Sequence, residues 1–271
     1  MKRFLTLSLL GICCFVLAAL AQDSALQVNA PVAPPAHRAQ PPDPNASSAE
    51  LESQADALRV QKSYLDAMDF YHAAMKKAGT PQAKSQIWNK IGITELQTGH
   101  FREAKKAFER SIKGDPQFAE PHNNLGVVFY EVKKYDKAIK NYEKALALKE
   151  DSASFHSNLG SAYFSKQQFD LASQEYGRAL QLDPTVFQHK SQIGIAAQMS
   201  SPEDRAHYSY VLAGMYAKAG MLDQALLYLR HAMEDGYKNI DDVYKDNEFA
   251  GLRKDPRFND LMAQRPPSIP Q

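Results

Sequence analysis

The sequence predicts an all-α protein, a solenoid of stacked antiparallel helix pairs, and three observations carry that prediction. Residues 85–186 divide into three consecutive units of 34 residues with nothing inserted between them. At that spacing Gly92, Gly126 and Gly160 coincide, as do Ile91, Leu125 and Leu159; Ala104, Ala138 and Ala172; and Phe108, Tyr142 and Tyr176. A fixed period of about 20–50 residues marks a repeat architecture. Second, large residues fall at places 4, 7 and 11 of each unit, and further on an alanine is followed by an aromatic four later and a small residue three after that. Each set forms one face of a helix, giving two helices per unit. Third, a glycine inside a helix costs about 1 kcal/mol relative to alanine. Three of them in register, at place 8, imply a helix approach too close for a side chain.

Taken from the N-terminus, Lys2 and Arg3 precede an apolar run over residues 4–20, and Ala19-Leu20-Ala21 supplies small residues at a cleavage point. Residues 1–21 therefore read as a secretory signal peptide with Gln22 as the mature start. An uncleaved anchor is the competing reading, for a run at the lower length limit for spanning a bilayer. Cys13 and Cys14 both lie in this segment, so the cleaved chain has no disulfide framework, thiol nucleophile or thiolate metal site. Loss of Lys2 and Arg3 takes the 32 basic residues to 30, against 31 acidic ones. That balance offers no general attraction to nucleic acid or to an anionic membrane.

Residues 22–47 form a spacer: six prolines, Pro31 to Pro44, fall within fourteen residues, a density that blocks helix and favours extended polyproline II. Residues 48–84 hold an irregular copy of the unit, with Leu51, Ala55 and Leu58 on its first helix and Ala67-x3-Tyr71-x2-Ala74 on its second. Three extra residues near Gly79-Thr80-Pro81 suit a helix stop and a new start. The regular copies occupy 85–118, 119–152 and 153–186. After Pro184 the register breaks, and Ala172 to Ala225 is 53 residues, 19 more than the period, so residues 187–205 are an insertion. Within it Ser201-Pro202-Glu203-Asp204 reads as a helix start. A fifth copy follows at 206–238, through Leu212, Tyr216, Ala225, Leu229 and Ala232. Residues 239–263, with Asp255-Pro256 opening a short last helix, are expected to cover the apolar face of the last copy. Residues 264–271 are a tail.

The recurring pattern resembles the tetratricopeptide (TPR) repeat. It stands as Trp88-x2-Ile91-Gly92, Ala104-x3-Phe108-x2-Ser111 and Pro116 in the first regular copy, and as Leu159-Gly160-x2-Tyr163, Ala172-x3-Tyr176-x2-Ala179 and Pro184 in the third. Glu95 and Glu150 depart from it, replacing an aromatic and a proline. The resemblance implies a right-handed α-solenoid that binds protein or peptide segments in a concave groove lined by first helices. If places 4, 7, 8 and 11 are buried inside each repeat, places 2, 5, 9, 12 and 13 form the neighbouring stripe. The candidate groove residues are Asn89, Leu96, Asn123, Tyr130, Ser157 and Phe164, joined by Asn124 and Asn158 at place 6. An amide both donates and accepts, so it suits the backbone of an extended chain; bonding to the neighbouring helix is the alternative use. The basic clamp with which some TPR families hold a C-terminal carboxylate is not matched, because Lys90 and Glu120 stand where asparagine and lysine are needed.

His122 and His156, at the place of Trp88, read as packing residues rather than metal ligands, for want of nearby carboxylates. No Ser-His-Asp spacing, phosphate loop or metal cluster supports catalysis, and an enzyme site at His189 and Asp204 in the insertion is a remote alternative. The expectation is an exported scaffold, periplasmic or secreted. It is noncatalytic, without cofactor or metal, and takes an unidentified protein or peptide partner in assembling an envelope or secreted complex. A membrane tether with an uncleaved N-terminus is the second reading.

Overall fold

The computed structural model describes residues 40–187 and 201–265. The stretch read as a signal peptide, most of the proline-rich stretch, residues 188–200 of the insertion and residues 266–271 of the tail lie outside these residues. The described residues form five helix pairs: α1 (Ser48–Val60) with α2 (Tyr64–Lys77), α3 (Pro81–Gln97) with α4 (Phe101–Gly114), α5 (Ala119–Glu131) with α6 (Tyr135–Leu148), α7 (Ala153–Ser165) with α8 (Phe169–Leu182), and α9 (Pro202–Lys218) with α10 (Leu222–Glu234). Short 3-10 turns at Ile240–Tyr244, Asn247–Phe249 and Leu252–Lys254 lead to α11 (Pro256–Gln264), and the described residues contain no strand. Packing is densest within each pair and, through the first four pairs, next densest between a second helix and the following first helix. Helix pairs that touch only their neighbours make an α-solenoid.

The repeated glycines sit where the two helices of a pair meet. A Cβ on Gly92 would lie 2.5 Å from the Phe108 ring, one on Gly126 2.5 Å from Tyr142, and one on Gly160 2.6 Å from Tyr176. These rings are fully buried, as are Ala104, Ala138 and Ala172 beside them. Each pair turns through three residues whose middle member has positive φ: Lys62, Gly99, Lys133, Gln167 and Gly220. Glycine adopts this conformation freely. At Lys62, Lys133 and Gln167 the backbone is held there by the packing of the helices it joins.

Where the connection between pairs is irregular, the next first helix begins a turn early. Thr80 caps α3 by accepting from Ala83 N, and Ser201 caps α9 by accepting from Asp204 N, each with proline at the first helical position. Both helices run 17 residues, against 13 for α5 and α7, which start without a side-chain cap. The first regular pair is also tied by serines where the next has alanines, Ala119 and Ala145: Ser85 Oγ donates to Ser111 O (2.8 Å) and Ser111 Oγ to Ser85 O (2.7 Å). At the near end of the spacer, Lys77 Nζ donates to the carbonyl oxygens of Pro44 and Ala46, so the approach to α1 is fixed on α2.

The segment after α10 closes the array. Phe249, Leu252, Phe258, Leu261 and Met262 are buried in one cluster with Leu212, Tyr216 and Leu229 of the last pair. Asp255 caps α11 by accepting from Arg257 N. Tyr210 OH donates to Asp246 (2.7 Å), and Arg253 donates to the carbonyls of Val243 and Asp246, fixing the turns against α9. No helix among the described residues is long and apolar enough to cross a membrane.

Candidate functional site

The stripe chosen from sequence runs along consecutive first helices, and the structure brings its asparagines into one line. Asn158 Nδ2 donates to Asn123 Oδ1 (2.9 Å), Asn123 Nδ2 to Asn124 Oδ1 (3.2 Å), and Asn124 Nδ2 to Asn89 Oδ1 (2.9 Å). This four-amide line links α7, α5 and α3 with one direction of donation. All four side chains are buried. Asn89 Nδ2 at one end and Asn158 Oδ1 at the other make no hydrogen bond among the described residues.

Tyr130 and Phe164 are buried as well. The Tyr130 hydroxyl meets Ser165 Oγ at 2.9 Å, joining α5 to α7, and burial pushes its phenol up to about 12. Its ring lies 5.3 Å from Tyr135. Phe164 packs edge-on to Phe169, His207 and Tyr208. Leu96 and Ser157 keep part of their surface. Leu96 bridges the apolar clusters of the second and third pairs, and the Ser157 carbonyl accepts from Ser161 Oγ. The chosen residues thus form the seam between successive first helices. Around it Gln86 and Ser154 are exposed, and Glu120 reaches Lys149 at 3.3 Å. Half-buried Glu131 has its carboxyl raised above the usual range by that burial.

At the first pair the face becomes ionic. Lys90 Nζ lies 2.6 Å from both Glu52 and Asp56, so this cation bridges α3 to α1. Burial opposes its charge, but the two carboxylates outweigh it and raise its pKa. Asp56 also accepts from the buried Tyr71 hydroxyl at 2.6 Å.

The two histidines at the Trp88 place have different surroundings. His122 Nδ1 is buried with no hydrogen-bond partner among the described residues, and burial followed by the charge of Lys144 lowers its pKa. His156 Nε2 donates to the Glu150 carbonyl (2.9 Å), and its Nδ1 lies 2.6 Å from Glu175. The premise that no carboxylate lies nearby is therefore corrected for His156. Glu175 stands on the second helix of the same pair, a turn-crossing contact that periodicity does not reveal. Among the described residues no three His, Cys, Asp or Glu side chains gather as a metal site. Of the two insertion residues, Asp204 serves the cap of α9, accepting from Ser201 Oγ at 2.8 Å, and His189 lies outside the described residues.

Family profiles for the TPR repeat match residues 89–139, 128–166 and 153–186. Residues 89–186 therefore carry recognised TPR repeats. No curated protein matches the sequence. Among solved structures, a crystal structure of MamA is similar at 20% identity, covering 67% of this chain and 93% of that one, with a TM-score of 0.46. MamA from Desulfovibrio magneticus RS-1 is similar at 16% identity, with 72% and 95% covered and a TM-score of 0.47. YrrB, described as a TPR protein with an unusual peptide-binding site, is similar at 16% identity, with 73% and 91% covered and a TM-score of 0.45.

Proposed function

We propose that this chain is an exported, noncatalytic scaffold that holds a protein or peptide segment against its first-helix face during assembly of an envelope or secreted complex. The observation that carries the reading is the in-register line of first helices α3, α5 and α7, whose buried amide seam is flanked by Gln86, Glu120 and Ser154. A rigid seam with polar side chains beside it suits an extended partner, because main-chain groups can be met without regard to the partner's side chains. Leu96 and Ser157 supply the remaining surface of the seam. The repeat family supports protein binding, and the basic n-region, apolar run and Ala19-Leu20-Ala21 support export.

The triple variant Gln86→Arg, Glu120→Gln, Ser154→Arg changes surface chemistry without touching the seam. Recovery of bound proteins from native envelope or secreted extracts should fall about tenfold, equivalent to about 1.4 kcal/mol, with the unfolding midpoint unchanged. Equal recovery would refute the first-helix face as the binding surface. The mass of the mature protein tests export: loss of residues 1–21 supports it, and a retained N-terminus supports the membrane tether instead.

A further inference from the structure

The fifth pair does not continue the regular stack. α9 meets α8 far less than α7 meets α6, and the chain leaving α8 intervenes: the Phe187 ring lies 5.3 Å from Tyr176 and 6.5 Å from Tyr216, and its carbonyl accepts from Tyr228 OH at 3.2 Å. Beside this wedge a cleft of about 1280 Å³ opens between α8, α9 and the closing turns. That exceeds the roughly 300–1,000 Å³ that usually encloses a small molecule.

Its walls differ in chemistry. Gln174, Arg178 and Gln181 project from α8, half-buried Val211 and Met215 make an apolar floor on α9 with Lys218 at its end, and Glu248 stands on the closing turns opposite. The described residues pair no carboxylate with Arg178 or Lys218, and no cation with Glu248. Arg178 reaches only Gln181 Oε1, at 3.5 Å.

One further residue marks the cleft. Gly177 lies inside α8, where glycine is unfavourable relative to alanine. The glycines at place 8 are demanded by an aromatic ring, but a Cβ on Gly177 would meet only Met215 Cε, at an ordinary 3.8 Å. Nothing among the described residues requires a glycine there; what it does is keep the α8 wall free of a side chain.

We propose that this cleft is a second docking site, taking an extended peptide segment of a partner protein in which an acidic and a basic residue flank an apolar one. The carboxylate meets Arg178 and Lys218, the apolar side chain lies on Met215 and Val211, and the basic residue meets Glu248. The peptide backbone passes over Gly177 within reach of the Gln174 and Gln181 amides. The site is separate from the first-helix seam and does not depend on it.

The test uses the full chain and two fluorescein-labelled decapeptides, one alternating acidic, apolar and basic residues, the other with every charged residue replaced by glutamine. Fluorescence anisotropy should show the charged probe binding at least about tenfold more tightly than the neutral one. Gly177→Leu, which fills the wall, should weaken the charged probe by a similar factor without lowering the unfolding midpoint. Arg178→Ala with Lys218→Ala should remove the preference for the charged probe. A photo-reactive group at the apolar position should attach within residues 207–219 or 246–249. Equal binding of both probes, no binding, or full affinity in Gly177→Leu overturns the proposal. Attachment confined to α3, α5 and α7 also overturns it while leaving the first-helix reading standing.

Discussion

Two glycines inside helices, Gly126 and Gly177, should respond in opposite directions to the same substitution. Alanine gains about 1 kcal/mol over glycine in a helix interior wherever its methyl group fits. At Gly177 it fits, with Met215 Cε at 3.8 Å, so Gly177→Ala should stabilise by up to about 1 kcal/mol. At Gly126 the methyl would lie 2.5, 2.6 and 3.0 Å from three atoms of the Tyr142 ring, which is fully buried and has no open side to turn toward. Overpacking costs about 1–3 kcal/mol, and three ring atoms this close put Gly126 in the upper part of that range, about 2–3 kcal/mol, above the propensity gain. Ala55 holds the corresponding place in the first pair and is fully buried, as is Tyr71, so a helix pair can form with alanine there, and relaxation toward that spacing bounds the loss. The expected net effect of Gly126→Ala is a destabilisation of about 1–2 kcal/mol, separating the two variants by about 2–3 kcal/mol. For a domain of this size each kcal/mol moves the thermal midpoint by about 2–4 °C. Far-UV circular dichroism melts read the difference directly. Midpoints are the quantity to compare, because a repeat array can unfold in steps. A Gly126→Ala chain that melts at or above the wild type would refute the claim that these glycines are required by the ring across the pair.

The buried tyrosines give a second contrast. Tyr142 OH has no hydrogen-bond partner among the described residues, whereas Tyr71 OH donates to Asp56, and Phe108 fills the equivalent place in the preceding pair. Tyr142→Phe should therefore be neutral or stabilising by about 1 kcal/mol, and Tyr71→Phe destabilising by about 1–2 kcal/mol, in urea unfolding. Acid should weaken the fold through two histidines. Burial, then Lys144, lowers the pKa of His122; burial lowers that of His207, opposed by Asp204. Their folded-state values lie below the ordinary value of about 6.5, so the unfolded chain takes up protons first. This contribution to stability is complete above about pH 6.5 and is lost as pH falls from there through the folded-state values. His122→Phe with His207→Phe should flatten the fall in melting temperature between pH 7.5 and 5.5, and an unchanged slope would count against both assignments.

The fold was legible because a solenoid writes its packing into the chain at a constant interval. Gly92, Gly126 and Gly160 and the rings they face recur at 34 residues, and both the close approach and the helix pairing follow from them. The turns were less legible. Lys62, Lys133 and Gln167 adopt positive φ with no glycine or asparagine to announce it, since the helices on either side impose the geometry. The early starts of α3 and α9 are written in Thr80-Pro81 and Ser201-Pro202, but an alignment at a fixed period places the boundary a turn late. Contacts that cross between helices were the least visible. His156 meets Glu175 19 residues away, and the cleft depends on how the fifth pair sits after the insertion, which no local pattern encodes.

The amide seam shows how a correct choice of residues can leave their use undecided. The sequence placed asparagines on neighbouring helices, but the bonded partners are 35 residues apart, one more than the period, joining place 5 of one unit to place 6 of the next. An alignment at 34 therefore shows two columns and hides the diagonal between them. Once the diagonal forms, Asn123 and Asn124 each bond on both sides and lie buried, so they fix the spacing of α3, α5 and α7. The line also has a direction, with an unbonded donor at Asn89 and an unbonded acceptor at Asn158. Because these amides lie buried, a partner held on this face as proposed would meet the side chains around them, and the choice between partners would fall to Gln86, Glu120 and Ser154. Specificity on this face should therefore change with substitutions at the rim, and stability with substitutions in the seam.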